Sequence, residues 1–101
     1  MVYHAPLWCM AHHGNLMFYT YLLEMSNGQL YTGSTNDLRR RYCEHQAGEV
    51  ETTKKYLPLK LIFYEAFLNE KDARRREQYF KTTKGKKMIK VILRQYYAAI
   101  V

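Results

Sequence analysis

The dipeptide Asn27-Gly28 sits between two runs rich in aromatic, aliphatic and β-branched residues, 17–24 and 29–35. Asn-Gly flanked in this way is the strongest short-range signal for a β-hairpin. Side chains alternate between the faces of a strand, so the length of the turn decides which residues of the two strands face the same way. A two-residue loop of Asn27-Gly28 alone would pair Glu24 with Tyr31 and send Tyr21 and Tyr31 to opposite faces. A three-residue loop, with Gly28 left-handed in a bulge, puts both tyrosines on one face. A site that uses both tyrosines requires the bulged turn, and that is the turn expected.

After the hairpin the pattern changes to helical spacing over residues 36–47. Thr35 or Asn36 can cap this helix, Asp37 suits the positive end of its dipole, and Gly48 is a natural stop. Leu38 and Tyr42, one turn apart, should face the core. Arg41 and His45, also one turn apart, should border the sheet, while Arg39 and Arg40 point to solvent. Residues 49–56 are polar and read as a loop with Lys54 and Lys55 exposed. Residues 59–68 are apolar on nearly both faces, which suggests a third strand in a central position.

Asn69 can cap a second helix running to about Phe80. Ala73, Glu77 and Phe80 fall on one stripe of it. A carboxylate on an apolar stripe is costly unless something satisfies it. Two readings of Glu77 stand at this point: an ion pair with Arg74, Lys81 or Arg41, or a metal ligand. A third helix is expected from about Lys86. Met88, Ile89, Ile92, Leu93 and Tyr96 form its apolar face, and Lys84, Lys86, Lys87, Lys90 and Arg94 line its polar side.

A chain of 101 residues makes one compact domain, with 17–97 as the domain and 1–16 as a loose or docked tail. In the tail, Cys9, His12 and His13 lack the paired spacing of a zinc site. The formal net charge is +7, and the arginines cluster, so an anionic partner, nucleic acid first, is expected. No run is long enough to span a membrane. Cys9 and Cys43 have neither metal nor redox spacing, which points to reduced thiols and a cytoplasmic protein.

Four segments in this order resemble the motifs of the GIY-YIG nuclease superfamily: Tyr19-Thr20-Tyr21, Tyr31-Thr32-Gly33, residues 35–45 and residues 73–81. The likeness covers nearly the whole chain past its tail and is greatest to small stand-alone bacterial members. The nuclease domain of the UvrC excision-repair protein is a more distant relative. Tyr19, Thr20 and Thr32 depart from the motif, standing where the family has glycine, isoleucine and isoleucine. The resemblance implies an α+β fold, a small three-stranded antiparallel sheet flanked by helices, which agrees with the element order above. It also implies a catalytic set of Tyr21, Tyr31, Arg41, His45 and Glu77, with Glu77 as metal ligand.

The chemistry this implies is hydrolysis of DNA phosphodiester bonds, duplex or branched, in repair or recombination. A divalent cation, Mg²⁺ or else Mn²⁺, would be held by Glu77, water and phosphate oxygens. Arg41 would contact a non-bridging phosphate oxygen through its planar fork. Tyr21 would be the general base, its pKa of roughly 10 lowered by nearby cations, with Tyr31 assisting or positioning phosphate. His45 would shuttle a proton or hold Tyr31 or the phosphate. Arg39, Arg40, Lys54, Lys55 and Lys84 would bind the nucleic-acid backbone. A non-catalytic nucleic-acid-binding module on the same fold is the alternative, and a structural adaptor a third.

Overall fold

A computed structural model describes residues 17–99. The expected tail over 1–16, with Cys9, His12 and His13, lies outside the described residues. Strand β1 (Phe18–Glu24) and strand β2 (Leu30–Thr35) form the hairpin. Tyr21 pairs with Gly33 and Leu23 with Tyr31. Met25 and Gln29 close the turn, with the Met25 amide donating to the Gln29 carbonyl at 2.8 Å. Ser26, Asn27 and Gly28 therefore form a three-residue loop, and Gly28 takes φ 84°. This is the bulged turn, and Tyr21 and Tyr31 share a face.

Helix α1 (Leu38–Gln46) follows. Its cap is Asp37, one or two residues later than expected, whose carboxylate accepts from the Arg40 amide at 3.0 Å. A short 3₁₀ turn (Lys54–Tyr56) leads to strand β3 (Lys60–Phe67). The sheet order is β2-β1-β3, all antiparallel. The central strand is thus β1, and β3 is an edge strand, contrary to expectation. Tyr64 of β3 is 53% exposed, whereas Thr20, Tyr21, Leu22 and Leu23 of β1 are all buried. An apolar run reports which faces a strand has covered; it does not report how many neighbours the strand has.

Helix α2 (Glu70–Phe80) is capped by Asn69, as its sequence suggests. Helix α3 (Thr83–Ile92) begins three residues before the expected start because Thr82 caps it, accepting from the Gly85 amide. Gly85 lies against the Tyr79 carbonyl at the end of α2, where a β-carbon would collide with backbone. The chain breaks at Leu93 and continues as helix α4 (Arg94–Ala99).

The sheet is covered on both sides. On one face Tyr21, Leu23 and Leu59 pack with Tyr31, Leu38 and Tyr42, so α1 lies there. On the other, Leu22, Phe80 and Ile89 pack with Leu30, Ile62 and Phe63, beneath α2 and α3. Among the described residues no helix is long and apolar enough to cross a membrane.

Candidate active site

Strand alternation and one helical turn bring four of the five expected residues to the α1 face of the sheet. Tyr21 projects from β1 and Tyr31 from β2. Arg41 and His45 come from successive turns of α1. The Tyr21 hydroxyl lies 2.9 Å from His45 Nε2. The Tyr31 and Tyr21 rings stand 5.0 and 5.7 Å from the imidazole, both edge-on. Arg41 lies close enough for its charge to act on the Tyr21 hydroxyl, and it reaches Glu44 at 3.1 Å.

His45 is more deeply placed than the border position expected of it, with no exposed surface. Its Nδ1 is 2.9 Å from the Thr53 hydroxyl, which is equally buried. Burial, with the Arg41 charge second, pushes the His45 pKa down to about 4, and Glu44 opposes weakly. The ring is therefore neutral near pH 7. A neutral imidazole has one N–H, so a phenolic proton directed at Nε2 goes together with Nδ1–H donating to the Thr53 hydroxyl. Every buried side-chain nitrogen and oxygen among the described residues has a partner.

Tyr21 itself is only 1% exposed. Burial pushes its pKa up to about 12, against the lowering effect of Arg41. The expected depression by cations is therefore overturned in the protein alone: desolvation of the phenolate outweighs a single guanidinium.

Glu77 reaches the site from the other side of the sheet. Helix α2 lies on the face opposite Tyr21, and Glu77 comes in at the edge strand β2. The Ser34 hydroxyl donates to Glu77 Oε1 at 2.7 Å, and Lys81 Nζ sits 2.7 Å from Oε2. The Glu77 charge still acts on Tyr21, raising its pKa slightly. Gly33 permits this meeting. Its missing side chain is replaced by the Tyr21 ring: a β-carbon there would lie 2.5 Å from the phenolic oxygen. What the glycine makes room for is therefore an aromatic side chain of the neighbouring strand.

Among the described residues no three His, Cys, Asp or Glu side chains converge as a metal cage. Glu77 beside the Ser34 hydroxyl is a hard-oxygen pair. That suits Mg²⁺, which keeps most of its waters and takes one or two carboxylates.

The five backbone-binding candidates divide. Arg39 and Arg40 are exposed on α1, and Arg40 lies 3.7 Å from Glu44. Lys54 and Lys55 are exposed next to Thr53, with Lys54 paired to Glu51 at 3.0 Å. Lys84 is exposed on α3, across the sheet from the other four.

Thr53, Ser34 and Glu44 were not singled out from the sequence. Ser34 was within reach: once the hairpin register is set, alternation places it on the α2 face beside the Glu77 stripe. Thr53 lies in an aperiodic polar loop and carries no such signal.

The model of the GIY-YIG catalytic domain matches residues 17–90. The chain belongs to the GIY-YIG family. It is 45% identical over 64 residues to a UPF0213 protein of Streptococcus agalactiae serotype V, covering 62% of this chain and 73% of the relative. A UPF0213 protein of Bacillus pumilus is 37% identical over 70 residues, covering 68% and 71%. The solution NMR structure of a UPF0213 protein from Bacillus halodurans shares the fold, with TM-score 0.50 and 30% identity over 75% of this chain and 84% of that one. GIY-YIG membership places the protein in a nuclease superfamily whose substrates are nucleic acids and whose nucleases generally use divalent metal ions.

Proposed function

We propose that the protein is a metal-dependent endonuclease that hydrolyses DNA phosphodiester bonds, acting in the cytoplasm in repair or recombination. The observation that carries this is the Tyr21–His45 contact of 2.9 Å, with the Arg41 charge acting on the same hydroxyl. An isolated buried tyrosine would be a poor base with its pKa near 12. The Arg41 charge favours the phenolate, and a bound cation would add to this; Tyr21 in that form would take the proton from the attacking water, while the neutral His45 fixes the phenolic oxygen in place without accepting its proton. Thr53 holds the imidazole in that orientation.

Arg41 serves two roles in turn. It stabilises negative charge on Tyr21, and its remaining donors suit a non-bridging phosphate oxygen. Tyr31, half-buried beside His45, would orient the phosphate at the mouth of the site. Glu77, with water and phosphate oxygens, would hold Mg²⁺ or Mn²⁺, which when bound supplies Lewis-acid stabilisation of the leaving 3′ oxygen. Arg39, Arg40, Lys54 and Lys55 surround this face and would contact the backbone. Lys84, on the opposite face, would do so only for a strand that wraps round the sheet.

A second reading draws on the burial of Tyr21 and the Lys81–Glu77 pair: a non-catalytic nucleic-acid-binding module of the same fold. Both are tested by incubating labelled duplex, branched and single-stranded DNA with Mg²⁺, Mn²⁺ or EDTA. Metal-dependent cutting by wild type, abolished in Tyr21→Phe and Glu77→Ala, is the expected result. Binding without cutting under every condition would establish the module instead.

A further inference from the structure

Among the described residues, the run of positive charge with the least compensation is not on the arginine helix. Arg40 and Arg41 share Glu44, Arg74 pairs with Glu70, Arg75 with Asp72 and Arg76 with Glu65. From Thr82 to Val101, by contrast, the chain has five cationic side chains and no carboxylate side chain. Lys86, Lys90 and Arg94 are exposed and pair with no carboxylate among the described residues. These three line one groove of about 1160 Å³, bounded by β2 and by helices α3 and α4.

Leu30, Phe80 and Ile89 line the apolar part of the groove, and Tyr97 adds an aromatic ring. Lys86 and Lys90 are four residues apart on α3, a rise of about 6 Å, so the cations follow one another along the groove. Lys81 lines the groove and also touches Glu77. The groove is therefore continuous with the candidate site, round the edge of β2.

We infer that this groove binds the nucleic-acid strand flanking the scissile phosphate, and binds it as unpaired nucleotides. The inference rests on the nuclease reading above. Phosphates match the run of Lys81, Lys86, Lys90 and Arg94. Exposed bases match the apolar wall and the Tyr97 ring, because stacking on an aromatic side chain needs a base face that a duplex keeps hidden. A basic patch serving only duplex phosphates gains nothing from a concave apolar wall. The strand crosses the β2 edge past Lys81, drawing its ammonium from Glu77 towards phosphate.

The test is fluorescence anisotropy in EDTA with labelled oligothymidylate, alone and paired with oligoadenylate. The proteins are wild type, the combined Lys86→Gln, Lys90→Gln, Arg94→Gln variant, and Tyr97→Ala. Thermal melts establish that each variant is folded. The triple variant is expected to lose roughly tenfold or more in single-strand affinity. Its slope of log affinity against log salt should fall by about 2, near 0.7 for each phosphate contact removed. Tyr97→Ala should lose about fivefold or more on the single strand and little on the duplex.

Unchanged single-strand binding by the triple variant overturns the inference, and so does an equal loss on duplex and single strand in Tyr97→Ala. Competition by polyglutamate as strong as by oligothymidylate also overturns it, by showing a site for acidic protein segments. If the wild type still cuts DNA with Mg²⁺ in any of these cases, the groove assignment falls and the nuclease reading stands. If it neither cuts nor binds, both fall.

Discussion

Lowering the pH should weaken the fold through one residue. His45 has no exposed surface, and its pKa is held at about 4 against an ordinary 6.5. In the unfolded chain the ring takes up a proton as pH falls through the ordinary value, while the folded protein refuses it until about pH 4. The unfolded state binds more protons throughout this window, so stability is full above it and declines as pH falls across it. At 1.36 kcal/mol for each pKa unit, the gap is worth about 3 kcal/mol, a large share of a small domain's stability. The assay is urea unfolding at pH 7 and pH 4 for wild type and His45→Gln, since glutamine does not titrate. Wild type should exceed the variant at pH 7, and the gap should shrink by about 3 kcal/mol at pH 4. Ring NMR signals of His45 supply a second reading that does not depend on the variant folding. A gap that stays constant across this range, or a ring that titrates near 6.5, would refute the assignment of a neutral, desolvated imidazole.

Other perturbations have defined outcomes. Gly33→Ala forces the Tyr21 ring off its seat, since the new methyl would lie 2.6 Å from the ring carbon bearing the hydroxyl; urea unfolding should show a loss of about 1–3 kcal/mol, and cleavage should fall with it. Thr53→Val preserves shape but leaves His45 Nδ1 unsatisfied, so the same assay should register roughly 1–3 kcal/mol of destabilisation. Arg41→Ala should reduce the cleavage rate by about a hundredfold or more, the scale on which a single charge-stabilising donor acts in other enzymes. Gly28→Ala places a β-carbon at φ 84° in open space, so it should cost only about 1 kcal/mol in an unfolding titration, with the site intact.

Much of this was legible in the residues because short-range rules set it. Asn27-Gly28 and the demand that two tyrosines share a face together specify the bulged turn, and a cap with a stop signal locates each helix to within a few residues. Lateral order was not legible. The apolar run of β3 read as the central, doubly covered strand, and only long-range pairing makes β1 central. Depth was also hidden: helical spacing puts His45 beside the core stripe, but its complete burial depends on Thr53, eight residues on in a loop. Of the two readings of Glu77, the ion pair is the one seen. Its carboxylate is paired to Lys81 while standing within electrostatic reach of Tyr21.

The three-residue loop between Met25 and Gln29 has a consequence for how such chains can vary. It acts as a parity setter for everything that follows on β2. Removing or adding one residue between Met25 and Gln29 would turn the strand over: Tyr31 would exchange sides with Thr32, and Gly33 with Ser34. The Tyr21 ring would then meet a side chain where it now meets none, and Glu77 would face a glycine in place of its hydroxyl donor. Changes of two residues would keep the same sides. Length variation at this turn is therefore counted in pairs, and a single-residue change there would disable both halves of the site at once without altering any residue that forms it.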